Sequence, residues 1–245
     1  MTTNGQLSPM PEDWRRALAI VAHPDDLEFG AAAAVATWTD AGREIGYLLV
    51  TKGEAGIDGM PPAQAGPLRE QEQKDSAAAV GVHDVEFLDY LDGVVEAGVP
   101  LRRDLTRAIR ARRPELVVTL NHRDYWSFGA WNSADHRAVG RTVMDAVADA
   151  GNRWIFPELA EDGLEPWTGV RWVAVAGSPA VSHAVDVSGA LDRAVASLAA
   201  HRVYLAGLRA EPPEQMARDF VNRTTSEAAA RFGGVPAVAF ELIGT

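Results

Sequence analysis

The residues best equipped for chemistry stand together at His23-Pro24-Asp25-Asp26, directly after the apolar run 17–22. One imidazole and two carboxylates share four positions there. His and Asp are ligands for zinc or a similar divalent ion, and His23 and Asp26 are close enough in sequence to chelate one ion. Asp25 is then left beside the metal, free to take a proton from water. The competing reading is a helix cap, because an Asp at a helix start satisfies free N–H groups and suits the helix dipole. A second acidic-imidazole cluster weighs against the cap. Ser133-Ala134-Asp135-His136-Arg137-Ala138 follows the apolar run 116–120, and His136 falls on the apolar face of the helix it opens. Two such corners fit a shared metal site better than a lone inward histidine does.

The elements that must carry these corners can be read from pattern. Residues 17–22 are short and wholly apolar, as in a strand buried on both faces. Pro24 biases His23 towards an extended conformation and ends that strand. Residues 28–41 read as a helix, 45–51 as a second strand, 68–80 as a helix and 85–90 as a strand. Leu101, Leu105, Ala108 and Ile109 recur at helical spacing, and Pro114 stops that helix before the strand 116–120. The long connection 121–131 carries His122, Tyr125, Trp126, Phe128 and Trp131, and loops of this length are often functional. A helix with His136, Val139, Val143 and Val147 on one face follows. Later strands are expected over 170–176 and 184–187, a helix over 188–205, and an edge strand over 235–243. Strand and helix alternate throughout. The expected fold is therefore α/β, a Rossmann-like, mainly parallel sheet with helices on both faces. Both corners then fall at the carboxyl ends of strands, where such sheets bind ligands.

Composition narrows the classes. The 245 residues fit one domain, 1–245, with 1–16 read as a flexible N-terminal segment. A formal charge of −11 argues against a nucleic-acid partner. There is no cysteine, so disulfides are excluded and any metal must be held by nitrogen and oxygen. No apolar signal core opens the chain and no run is long enough to cross a bilayer, so a cytoplasmic protein without a membrane partner is expected. The glycine-rich dinucleotide turn, the Walker A loop and the nucleophile elbow are all missing.

At these motifs the chain resembles the LmbE-like (PIG-L) de-N-acetylases, zinc hydrolases that remove acetyl groups from substrates containing N-acetylglucosamine. The resemblance rests on Ala22 to Gly30 with His-Pro-Asp-Asp at its centre, and on Thr51-Lys52-Gly53-Glu54-Ala55-Gly56. It extends to Arg69 and Glu72, Asp92-Gly93, Asp135-His136-Arg137-Ala138 and Phe240-Glu241. It implies a Zn2+ site, with Fe2+ or another divalent ion as the alternative, held by His23, Asp26 and His136. Asp25 would be the general base, and two imidazoles with one carboxylate would leave a position open for water. The substrate implied is a small N-acylated amino sugar. Glu54, Arg69, Asp92, His122 and Tyr125 are assigned to it, with surface ion pairing as the competing reading for Arg69 and Asp92. Homo-oligomers are left open.

One departure stands out. The family usually has a histidine three residues before the metal-binding histidine, serving the oxyanion or the leaving nitrogen. Here that residue is Ser133. Serine donates a hydrogen bond but carries no positive charge, and loss of one oxyanion donor costs about two to three orders of magnitude in rate. Asp135 loses the partner it would orient and is read instead as a support for His136. His183 is the first choice to supply the missing group, with His122 and Tyr125 behind it. The alternative function is a metal-binding relative with lost or altered catalysis, acting as a ligand-binding protein. A non-haem iron oxygenase ranks below both, because a free Asp25 beside the ion suits hydrolysis.

Overall fold

Alternate residues of the first long strand go to opposite sides: Ala17, Ala19 and Val21 join one apolar cluster, Leu18, Ile20 and Ala22 the other. A strand of period two with no polar face must be covered twice, and the chain supplies a helical layer for each side. The computed structural model describes residues 5–208 and 210–245. In chain order the elements are β1 (Ser8–Pro9), β2 (Arg16–Val21), α1 (Asp26–Gly30), α2 (Ala32–Asp40), β3 (Glu44–Leu49), α3 (Pro62–Ala79), β4 (Asp84–Phe87), α4 (Val99–Arg112) and β5 (Leu116–Leu120). They continue with α5 (Ala134–Ala150), α6 (Pro157–Glu161), β6 (Trp172–Ala176), β7 (His183–Asp186), α7 (Leu191–Ala199), α8 (Arg202–Leu208), α9 (Pro213–Ala229) and β8 (Ala237–Gly244).

The strands form one sheet in the order β1-β7-β8-β6-β5-β2-β3-β4. Every pairing is parallel except those of β8, which runs antiparallel to both β6 and β7. The mainly parallel α/β architecture agrees with the sequence pattern. Helices α2 and α7 lie over one apolar cluster and α4 and α5 over the other. From β2 the chain steps outward through β3 and β4, then returns to the other side of β2 with β5. Strand order therefore reverses between β2 and β5, and the crevice at their carboxyl ends is the place such sheets keep for a ligand.

Three expectations are corrected. Residues 235–243 read as an edge strand, yet β8 is internal, because β7 and β1 pair beyond it. The helix expected over 188–205 is two, α7 and α8, broken at Ala200 and His201. The segment 1–16, read as flexible, is folded over its described part, with residues 1–4 lying outside the described residues. Ser8–Pro9 pairs with β7, Leu7, Met10 and Trp14 are buried, and Trp14 meets Trp38 edge-on at 5.3 Å. The anchor is apolar contact that the polar composition of the segment conceals. No helix among the described residues is long and apolar enough to cross a membrane.

Candidate metal centre

Where β2 ends, the chain folds back on itself through one carboxylate. Asp26 Oδ2 accepts from the backbone N–H of Ala22 at 3.0 Å and of His23 at 2.9 Å, which fixes the four-residue turn. Asp25, between them, takes a left-handed conformation with φ +82°. A non-glycine residue there is strained by about 1 kcal/mol or more, though Asp tolerates it better than most. Its N–H donates to Gln73 Oε1 at 2.9 Å from α3, and that bond holds the strain in place.

His136 arrives from the head of α5, 113 positions further along. Its Nε2 stands 3.0 Å from Asp26 Oδ1 and 3.2 Å from His23 Nδ1. One ligand atom from each of His23, Asp26 and His136 lies within 4.8 Å of the others, so the two corners converge as the sequence predicts. The outward nitrogens decide what this cluster is for. His136 Nδ1 is 3.0 Å from Asn132 Oδ1, and His23 Nε2 is 3.1 Å from Asp92 Oδ1 and 3.2 Å from Asp135 Oδ2. Those oxygens only accept, so each ring has an outward partner that can take its proton when the inward side holds a cation. In that tautomer the two inward nitrogens would turn lone pairs towards each other and towards the Asp26 carboxylate. Three acceptors pointed at one spot fit a cation, and the donor set suits a divalent ion of zinc type.

The field of the site favours positive charge. Burial works against a charge on His23, but Asp26, Asp135 and Asp92 outweigh it and raise its pKa well above the usual imidazole range. Burial likewise opposes a charge on Asp26, and the imidazoles of His136 and His23 still hold its carboxyl far below the usual range. The spot draws positive charge. Asp25 is different: burial, tempered by Arg69 and reinforced by Asp26, pushes its carboxyl up to about 6. A carboxylate with a pKa near neutrality both accepts and returns a proton readily.

With this geometry in hand, the comparisons with known proteins fall into place. The family model for PIG-L, described as GlcNAc-PI de-N-acetylase, matches residues 18–147, a span that holds both corners. The chain belongs to the PIG-L family. A diacetylchitobiose deacetylase of Thermococcus kodakarensis is 33% identical over 141 residues, covering 57% of this chain and 51% of that one. A probable N-acetyl-alpha-D-glucosaminyl L-malate deacetylase 2 of Bacillus anthracis is 28% identical over 141 residues, covering 55% and 60%. The chain thus spans little more than half the length of these curated relatives. Among solved structures, N,N'-diacetylchitobiose deacetylase from Pyrococcus horikoshii superposes with a TM-score of 0.80 at 22% identity, covering 94% of this chain and 84% of that one. At that identity the likeness establishes the fold.

Within this PIG-L site several residues stand elsewhere than the sequence suggests. Arg69, assigned to substrate, is buried and spent inside the protein. Its Nη1 donates to Gly53 O at 2.8 Å, its Nη2 to Pro24 O at 2.7 Å and to the Asp25 carboxylate, and its guanidinium lies over the Tyr204 ring at 4.0 Å. Gly53 has φ +63°, and a Cβ there would stand 2.2 Å from Arg69 Nη1, so the close approach requires glycine. Asp92 is also engaged, with Oδ1 on His23 and Oδ2 accepting from Ala55 N–H at 2.9 Å, while Glu54 Oε1 accepts from Asp92 N–H at 2.9 Å. Asp135, read as a support for His136, instead holds His23 and accepts from Gly93 and Val95 N–H at 2.7 and 3.1 Å.

Ser133 caps α5, its Oγ accepting from His136 N–H at 3.1 Å. His183 is displaced from the site. It starts β7 and bonds with its neighbour Ser182, and four steps of about 4.8 Å across the sheet put it roughly 19 Å from β2. A strand-start histidine reads as a site residue only if its strand neighbours the site, and β8 intervenes. His122 packs against Gly140 and takes its field from Arg123, Glu241 and Arg141, with burial lowering its pKa. Tyr125 is exposed on the 121–131 connection, edge-on to Trp131 at 5.1 Å.

Asn132 and Gln73 escape the sequence reading. Asn132 is fully buried: besides holding His136, its Nδ2 donates to Asn121 O at 2.7 Å and Arg123 O at 3.0 Å. Its signal was available, because position 132 lies one helical turn before His136. Gln73 gives no comparable sign, since nothing local says that a glutamine on α3 reaches the β2–α1 turn.

Proposed function

We propose that the protein is a metal-dependent amidase that removes the acyl group from the nitrogen of an amino sugar or a related small metabolite. The observation that carries this is the convergence of His23 and His136 on Asp26, one ligand atom of each within 4.8 Å of the others, with Asp25 beside them. Relatives named as deacetylases of diacetylchitobiose and of an N-acetylglucosaminyl malate support the substrate class.

His23, Asp26 and His136 would hold the ion, zinc by donor chemistry. When bound, a divalent ion supplies Lewis acidity, drawing charge from the amide carbonyl and easing the deprotonation of water. The chain's own groups do the rest. Asp25 accepts the proton of the attacking water at its carboxylate and hands one to the departing nitrogen, a double duty that its raised pKa suits. Arg69 fixes the orientation of that carboxylate from behind, and Gln73 fixes its backbone. Asp92 and Asp135 keep the His23 proton on Nε2. Ser133 leaves the oxyanion with one neutral donor where the family has a histidine, so a rate below that of typical members is expected.

The test combines elemental analysis with hydrolysis of N-acetylglucosaminyl compounds, read by released amine. Asp25→Ala should retain metal at wild-type stoichiometry while the rate falls about 10²- to 10⁴-fold. Undiminished turnover in that variant would remove Asp25 from the chemistry, and a protein that takes up no divalent ion would sink the proposal.

A further inference from the structure

The crevice has two unlike halves. On the β2–β4 side stand Asp25, Glu54 and Asp92, polar and hydrogen-bonded. On the β5–β6 side stands the aromatic connection that follows β5. Trp126 is edge-on to the His136 imidazole at 5.7 Å and is wedged against Gly177, where an added Cβ would meet the indole at 2.7 Å. Phe128 lies parallel to Trp126, 5° between planes and 6.2 Å between centroids, and is 77% exposed. The connection is tied together by its own contacts. Tyr125 and Trp131 form a bridge, Trp126 N–H donates to Ala130 O at 2.9 Å, and Asn132 clamps its base. A stacked pair beside His136, with Trp126 half-buried against the core and Phe128 exposed, asks for an occupant.

Resting on the amidase reading, we propose that this aromatic half is the acyl subsite and that the preferred substrate carries an apolar acyl group larger than acetyl. A secondary amide is planar and trans, so its carbon and nitrogen substituents leave the carbonyl in opposite directions. The nitrogen must face Asp25, which returns its proton, and that places the amino sugar in the polar half. The acyl chain then points to Trp126 and Phe128. Hydrolysis breaks the C–N bond, adds the water oxygen to the acyl carbon and sends the proton to nitrogen, releasing a carboxylate and an amine. A second copy of the chain fits the patch less well. The exposed parts of Tyr125, Phe128 and Trp131 offer roughly 400 Å² at ordinary side-chain areas, about half of the 800 Å² per partner that a stable interface needs.

The experiment compares N-acetyl-, N-butanoyl- and N-hexanoyl-D-glucosamine with the metal-loaded full chain. From acetyl to hexanoyl, kcat/KM should rise at least about tenfold, and Phe128→Ala should bring that ratio to within about threefold of unity. Calorimetry in the Asp25→Ala background, where turnover is suppressed, should show the same preference in Kd and its loss in Asp25→Ala/Phe128→Ala. Rates that fall with chain length while the acetyl compound is hydrolysed overturn the subsite and leave the amidase. Turnover of none of the three overturns the amidase, and calorimetry still decides the subsite: equal affinities sink it. If Phe128→Ala instead abolishes a preference for an aryl group at the anomeric carbon, or dissociates a dimer, the aromatic half serves that occupant and the proposal fails.

Discussion

At the scale of single residues, the candidate ligands matter less than what points them. His136 would bind through Nε2 only because Asn132 takes the proton on Nδ1, and Asn132 is itself fixed by two main-chain carbonyls. Partners of this kind are worth about 10- to 100-fold in metal affinity. Asn132→Ala should therefore weaken binding by that factor, measured by competition with a chromophoric chelator, with His136 untouched. Asn132→Asp keeps an acceptor at the ring but loses both donors to the loop, so it should recover part of the affinity. Equal affinities in wild type and Asn132→Ala would mean that the ring does not need this partner. The convergence of the two corners was legible in the sequence because His-Pro-Asp-Asp and Asp-His each close or open an element at the carboxyl edge of the sheet. The orienters of His23 were half legible: Asp92 and Asp135 were singled out, but for other duties, because their true partner lies across the sheet.

Between elements, the β2–α1 turn leans on a buried polar layer contributed by α3 and the α7–α8 break. Glu28 accepts from Gln73 Nε2 at 2.9 Å and Ser76 Oγ at 2.7 Å, and pairs with His201 Nε2 at 3.5 Å, with His201 fully buried. Gln73 in turn holds Asp25. The break between α7 and α8 was invisible in the helical periodicity over 188–205, because His201 earns its place through a carboxylate from a distant helix. Strands β2, β3 and β5 were legible from their apolar runs alone. The internal position of β8 was not, since nothing local tells an internal strand from an edge one. Burial opposes charge on both partners of the pair, yet their mutual attraction lowers the pKa of Glu28 and raises that of His201. The depressed carboxylate stabilises the fold above its unfolded pKa of about 4.3, and that contribution fades as pH falls. The raised imidazole stabilises it below about 6.5, and that contribution fades as pH rises through the folded value. His201→Leu leaves Glu28 without its cation and should cost about 3 kcal/mol at most, largest between about pH 4.3 and 6.5. Urea midpoints of the two proteins across pH check it; a difference that does not vary with pH would show that the pair is not charged.

Over the whole molecule, the centre ties together segments that are far apart in the chain. His23 and Asp26 close β2, His136 opens α5, and the excursion through β3, β4 and α4 lies between them. The parallel pairing of β2 with β5 and the packing of α5 bring them together, and the contacts of His136 with Asp26 and of His23 with Asp135 join them directly. An ion bound by His23, Asp26 and His136 would be a cross-link across that excursion. It would also neutralise a crevice where Asp25, Asp26, Asp92 and Asp135 crowd in a chain of net charge −11. Binding to the folded state alone, an ion held at one hundred times its Kd stabilises by about 2.7 kcal/mol. For a protein of this size about 1 kcal/mol shifts Tm by roughly 2–4 °C, so chelation should lower Tm by about 5–10 °C and equimolar zinc should restore it. His136→Ala should sit at the chelated value whether or not zinc is added. The comparison separates a cross-link from a mere surface ligand, because a surface ligand would leave the β2–β5 junction as stable without it as with it. If the ion is stripped, confirmed by elemental analysis, and Tm does not move, the two corners are held by packing and by the hydrogen bonds of their carboxylates without help from a cation.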